Sequence, residues 1–425
     1  MTMTDTAGTV FPRHQLGNGL QIIGQPMPNL ESVSVGFMIG AGSRDERAAQ
    51  TGLSHLVEMM GYQGTKHRDA RALTEAFDRL GARKTSGTDL EYTTYSAMAL
   101  GSQLVPLVEL LADVVRYPGF NPVEYPKAQD RVLQEIAERE DVPLRKIMDL
   151  LRRAYFGEHP YGNERLGEPD AVASTPLDAL HTYWGERYGP RNTVLAVAGK
   201  VDWEAFVARA EELLGDWQGP AQRTQGGGVA PAARIVLEQK ESNQQHIGLA
   251  VPGVAFSDPD RYTMAVLSTL LGGSMNSRLF VEVREKRGLV YSVGAFPFSL
   301  ETAGLLGIYA GTTPDKADQT VAVCTEQLRR LEDEPPTDEE VERAKILLKA
   351  DVIMRSESSD ARRRSIATGW WYEGKVRTLE EIAQTIDAVD AGRIQAMCRR
   401  LEMSKHIAVA AIGPVAEEGL LKNVR

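Results

Sequence analysis

Only two cysteines, Cys324 and Cys398, occur in 425 residues, far apart in the chain. That argues against a disulfide framework and fits a reducing compartment, and their separation matches no metal-ligand spacing. A basic excess is also missing. Asp and Glu number 58 against 48 Lys and Arg, for a net charge of −10, which argues weakly against nucleic acid as a main partner. No apolar run approaches the ~20 residues that span a bilayer. The first residues, Met1-Thr2-Met3-Thr4-Asp5, carry neither the basic start nor the apolar stretch of a signal peptide. The expectation is a cytoplasmic protein with no nucleic-acid partner and no membrane partner.

What is present is ordinary globular composition, 42% hydrophobic and 25% charged. The clearest interruption is 215–233, where Gly, Pro and small polar residues leave no helical or strand period. It predicts a linker between an N-terminal domain, 1–214, and a C-terminal domain, 234–425. The two parts run through similar elements. The first has strands at 20–23, 32–39 and 91–100, helices around His55, at 69–80 and at 103–116, and an apolar strand at 192–199. The second has strands at 247–251, 290–296 and 304–310, helices at 260–271 and 314–331, and a closing strand at 407–413 that echoes 193–199. The expected fold class is α+β: a tandem duplication of two similar sandwich domains, each a mixed or antiparallel sheet with helices on one face.

The segment Gly52-Leu53-Ser54-His55-Leu56-Val57-Glu58-Met59-Met60 reads as helix. Residues three and four apart share a helix face, so His55, Glu58 and position 59 point the same way. A His-x-x-Glu-His arrangement would give two imidazoles to zinc and a carboxylate to the attacking water. Zinc lowers the water's pKa and the carboxylate takes its proton. Here position 59 is Met, a neutral, soft thioether that suits Cu(I) better than Zn(II). Taken alone, His55 reads as a surface or capping histidine.

The wider pattern resembles the pitrilysin/insulinase-type metallopeptidase family, which includes mitochondrial processing peptidase. The family reads Gly-Leu-x-His-x-x-Glu-His followed by Gly-Thr; this chain has Gly52 to Met59 and then Gly64-Thr65. The resemblance implies a third ligand at Glu135, 76 residues beyond position 59, in Val132-Leu133-Gln134-Glu135-Ile136. The family's supporting carboxylate, seven residues before that ligand, falls on Ala128, and its Asn-Ala step on the substrate-binding edge strand is replaced within Lys84-Thr85-Ser86-Gly87-Thr88. The second half keeps the family's Arg/Tyr segment as Leu279 to Val293, with Arg284 and Tyr291 seven apart. By resemblance this pair contacts the substrate backbone, and the donors suit a carbonyl that becomes an oxyanion. The likeness extends over residues 12–414; His159 is taken as a turn residue within it.

These residues give vestigial metal ligands His55 and Glu135, a vestigial general base Glu58, and substrate-binding Arg284 and Tyr291. Zinc, the family's cofactor, is expected to be absent or weakly bound. The resemblance implies the zinc-poor subunit of a heterodimeric peptidase, with extended peptides as substrate and a homologous zinc-bearing chain, or a second copy, as partner. Two alternatives are an autonomous zinc metalloendopeptidase with an altered site and a non-catalytic scaffold subunit.

Overall fold

The computed structural model describes residues 3–4, 10–219, 229–232 and 234–414. Most of the expected linker, at 220–228 and 233, lies outside the described residues. The chain forms two units: residues 1–138, 163–225 and 354–378 in one, and residues 139–162, 226–353 and 379–425 in the other.

In the first unit β1 (Met3–Thr4) pairs with β2 (Val10–Phe11). The main sheet contains β3 (Arg13–Gln15), β4 (Gln21–Pro26), β5 (Ser32–Ile39), β6 (Arg83–Thr88), β7 (Thr93–Leu100) and β8 (Thr193–Gly199). Its order is β3-β4-β8-β5-β7-β6. β4 and β8 run parallel and the other neighbours antiparallel.

The second unit holds β9 (Ile235–Gln239), β10 (Gln245–Pro252), β11 (Val290–Ser299), β12 (Gly304–Thr312) and β13 (Ala408–Gly413). The order is β11-β12-β10-β13-β9. Again one pair, β9 and β13, is parallel, and the rest are antiparallel. Strand for strand this repeats β6-β7-β5-β8-β4, so the duplication read from element order is present in the topology.

Each sheet buries one face on helices of its own half. In β5, Val33, Val35, Phe37 and Ile39 are fully covered and join Leu56, Leu107, Leu111 and Phe206 in one core. Burial of each such side chain contributes about 1.5–3 kcal/mol. In the second unit Ile247, Leu249, Ile308 and Val409 meet Leu267, Leu271, Val321 and Leu328.

The opposite faces carry helices from the other half of the sequence. Helix Ser359–Glu373 packs Ile366, Ala367 and Trp371 on Ile23, Met38, Val194 and Ala196. Helix Pro143–Phe156 lies over β10, where a Cβ on Gly248 would stand 3.2 Å from a methyl of Leu151. The structural units are therefore not the contiguous segments 1–214 and 234–425. The physical reason is that a sheet in an α/β sandwich has two faces to cover, and each half supplies the helix that covers the other's second face.

Gly36 in β5 occupies the place of Gly248 in β10. A Cβ there would lie 2.7 Å from Ser96 and 2.8 Å from the Arg363 guanidinium. The guanidinium is buried, donating to Ser34 Oγ at 3.0 Å and Asp360 Oδ1 at 3.0 Å. A buried guanidinium so paired with the half-buried Asp360 explains why this helix shows scattered polarity rather than one apolar stripe.

Candidate functional site

The motif helix is Leu53–Gly61. Its N-terminus has no cap from its own sequence neighbour; Glu46 performs that role from a preceding turn. The Glu46 carboxylate accepts from Gly52 N at 2.8 Å and Ser54 N at 2.7 Å, and also from the Ser54 hydroxyl. Backbone N–H groups at a helix start are otherwise unsatisfied. Burial pushes the Glu46 pKa up to about 7, against the pull of those hydrogen bonds. Beyond the helix, Thr65 Oγ1 accepts from His67 N and Arg68 N and donates to the buried Asp113 at 2.8 Å. The Gly-Thr of the motif is thus a structural anchor.

His55 sits 8% exposed and Glu58 3% exposed. Helix Tyr125–Asp141 brings Glu135 to them. His55 Nδ1 is 2.8 Å from Glu58 Oε2, and its Nε2 is 2.9 Å from Glu135 Oε2. Thr88 Oγ1 on β6 donates to Glu58 at 3.3 Å, and Arg131 Nε donates to Glu135 at 3.4 Å. Burial alone would lower the His55 pKa, but the hydrogen bonds that the ring donates to both carboxylates, Glu135 first, outweigh it and push it up to about 9. The structure thus brings together His55 and Glu58, which share a helix face, and Glu135, which the family resemblance implied.

A zinc-peptidase centre has three protein donors and an open position. Here both imidazole nitrogens already face carboxylates, one carboxylate remains as a further donor, and the second imidazole is replaced by the thioether of Met59. Ala128, two helical turns before Glu135, is buried in the core and offers no supporting carboxylate. These residues do not fit such a centre. Among the described residues, no group of three or more His, Cys, Asp or Glu is arranged to hold a metal ion.

Met59 instead lines a cavity of about 330 Å³, together with Tyr62, Lys84, Thr85, Ser86 and Arg131. The altered 84–88 segment forms β6, the polar edge of the sheet. Sequence reasoning placed these residues near the site but missed the cavity and Glu46. A buried glutamate seven residues before a helix start leaves no periodic signal.

Arg284 and Tyr291 belong to the second unit. Arg284 lies in a π-helical turn, Phe280–Glu285, exposed, with its guanidinium 4.8 Å from the centre of the Phe280 ring. Tyr291 is 42% exposed on edge strand β11, where the register breaks between Val290 and Ser292. Such a bulge re-aims a side chain. Its hydroxyl donates to Gln244 Oε1 at 2.9 Å, and its ring lies over Gly311, where a Cβ would stand 2.7 Å from the ring. His159 sits in a turn, its Nδ1 accepting from Tyr161 N at 3.2 Å, as expected.

Residues 22–169 match the insulinase (peptidase family M16) family, and residues 175–348 match the peptidase M16 inactive domain. A protein of Bacillus subtilis described as an uncharacterized zinc protease is 33% identical over 405 residues, 95% of this chain and 98% of that one. The chain belongs to peptidase family M16. Another relative, an uncharacterized zinc protease of Streptomyces coelicolor, is 31% identical over 97% of this chain and 91% of its own length. Among solved structures, a protease from Helicobacter pylori superposes with a TM-score of 0.88 at 20% identity, over 96% of this chain and all of that one. A chain of complex III2 from Candida albicans gives 0.86 at 20% identity, over 97% and 98%. These two show the shared fold. The inactive-domain description attaches to residues 175–348, and not to the segment that holds His55. No helix among the described residues is long and apolar enough to cross a membrane.

Proposed function

We propose that this M16 protein is the zinc-poor, Arg/Tyr-bearing subunit of a heterodimeric metallopeptidase. It holds extended peptides, and a homologous zinc-bearing chain cleaves them. The observation that carries this reading is the occupied imidazole: His55 is held between Glu58 and Glu135, with Met59 where a second histidine belongs. Against that altered half stands Tyr291, exposed on a bulged strand with its hydroxyl available to exchange Gln244 for a substrate carbonyl. An edge strand such as β6 can also pair with an extended peptide.

The test is reconstitution. The full chain is purified alone and with a co-expressed homologous chain carrying an intact His-x-x-Glu-His. Zinc content and cleavage of a quenched fluorescent peptide are then measured. The expected result is no cleavage and less than one zinc per chain for this protein alone, with cleavage by the pair. One zinc per chain and cleavage unaided would instead establish an autonomous peptidase. Failure of peptide binding by every assembly would leave the scaffold role.

A further inference from the structure

The cavity beside Met59 has a definite chemical character. Its volume, about 330 Å³, lies at the lower end of ligand pockets, roughly 300–1,000 Å³. Two cations, Lys84 and Arg131, line it together with Thr74, Thr85 and Ser86, and no carboxylate-bearing residue is in its lining; the Thr85 hydroxyl itself is turned to Ser96 on the other face of the strand. Lys84 Nζ reaches the Thr74 hydroxyl at 3.4 Å and lies 4.9 Å from the centre of the Tyr62 ring. Arg131 is held by one long contact to Glu135 and is otherwise exposed. Both cations can turn to an incoming anion without breaking a buried pair.

The cavity adjoins β6. That strand has β7 on one side only, so its other edge is unpaired within the sheet. Side chains alternate across a strand, and Lys84, Ser86 and Thr88 share one face of β6. Thr88 on that face reaches Glu58, and Lys84 reaches the Tyr62 ring. A peptide paired with β6 at the usual ~4.8 Å strand spacing directs every second side chain to this same face.

We propose that this cavity is a recognition pocket for the carboxylate of an Asp or Glu side chain in an extended peptide added to β6. The proposal rests on the reading that this chain holds extended peptides. Lys84 and Arg131 close on the carboxylate, the hydroxyls of Thr74 and Ser86 supply neutral donors, and the thioether of Met59 packs on the side-chain methylenes. Burial lowers the Lys84 pKa, as expected for an ammonium short of a counter-charge, and a carboxylate partner reverses that cost. Where a histidine would serve a metal, this chain has opened a specificity pocket.

The experiment measures anisotropy of labelled ten-residue peptides on the full chain. The peptides are built on a neutral Ala/Ser background and carry Glu, Gln or Lys at each position in turn. At one position Glu should bind about tenfold tighter than Gln, the size of a partly desolvated charge-assisted contact. Lys84→Met and Arg131→Gln should each remove that preference while the Gln peptide still binds. Lys84→Glu should transfer the preference to the Lys peptide. Peptides that bind with no Glu preference, or with one that survives both substitutions, overturn the pocket and leave the peptide-binding reading standing. No binding by any peptide overturns both.

Discussion

Glu135 Oε2 stands 2.9 Å from His55 Nε2 although 80 residues separate them. Glu58 takes the other ring nitrogen at 2.8 Å. The geometry that would place two ligands and a base around a metal here closes on itself as an acid–imidazole–acid arrangement.

Met59→His tests whether the thioether is the decisive loss. The substitution restores the missing donor on the same helix face, so zinc affinity should rise by at least ~10–100-fold. Mass spectrometry of metal content after dialysis reads the change. A variant that holds no more zinc than the parent would shift the fault to Ala128 and the lost second carboxylate.

Much of this was legible in the chain. The alternation in Val33, Val35 and Phe37 gave β5 its limits, and the family resemblance pointed to Glu135 as a partner of the His55 helix. The exchange of helices was not legible. Helix Ser359–Glu373 buries Arg362 and Arg363 as well as Trp371, so its sequence carries no single apolar face. At β6 the residues alone show no strand period, and only the family resemblance placed Lys84 to Thr88 on an edge strand: Arg-Lys-Thr-Ser-Gly-Thr is polar because it is an edge, where charged residues guard against unwanted pairing. Hydrogen bonds to both nitrogens of His55 depend on three-dimensional approach and leave no trace in spacing.

The exchanged helix should be sensitive at Gly36. Gly36→Ala puts a methyl into Ser96 and the buried Arg363 guanidinium, and overpacking of this kind costs about 1–3 kcal/mol. Gly248→Ala meets the methyls of Leu151 and a methylene of Ile147, at 3.2 Å and beyond, and should cost less. Urea unfolding of the two variants side by side orders them; equal midpoints would contradict the close approach.

Tyr291 offers a separation of function from stability. Its exposed ring covers Gly311, and its hydroxyl meets Gln244. Tyr291→Phe should leave the melting temperature unchanged and lower cleavage by the reconstituted pair about tenfold or more, the scale of one oxyanion donor being ~10²–10³. Gly311→Ala should act the same way without touching the hydroxyl, since its methyl displaces the free end of the ring. Peptide turnover beside thermal melts distinguishes this from general damage. Unchanged turnover in both variants would remove Tyr291 from the substrate site.

Acid should weaken the second unit through Glu340. Arg278 donates to it twice, at 2.6 and 2.8 Å, and Thr337 N donates at 2.8 Å while Glu340 N returns a bond to Thr337 Oγ1. This reciprocal arrangement is a capping box. Burial alone would raise the Glu340 pKa, but these donors outweigh it and hold it down to about 2. A carboxylate depressed in the folded state binds its proton more readily when unfolded, so its stabilisation is present above the ordinary value of 4.5 and is lost as pH falls from there through about 2. Because the group is partly exposed, the contribution is set at about 1–2 kcal/mol rather than the full shift. Glu340→Gln keeps the shape and removes the charge. The stability difference between parent and variant, from urea titrations, should hold steady between pH 7 and pH 5, then narrow as the buffer is taken towards pH 3, by the same linkage. A difference that stays constant over the whole range would mean that the Arg278 pair contributes no charge-dependent stability.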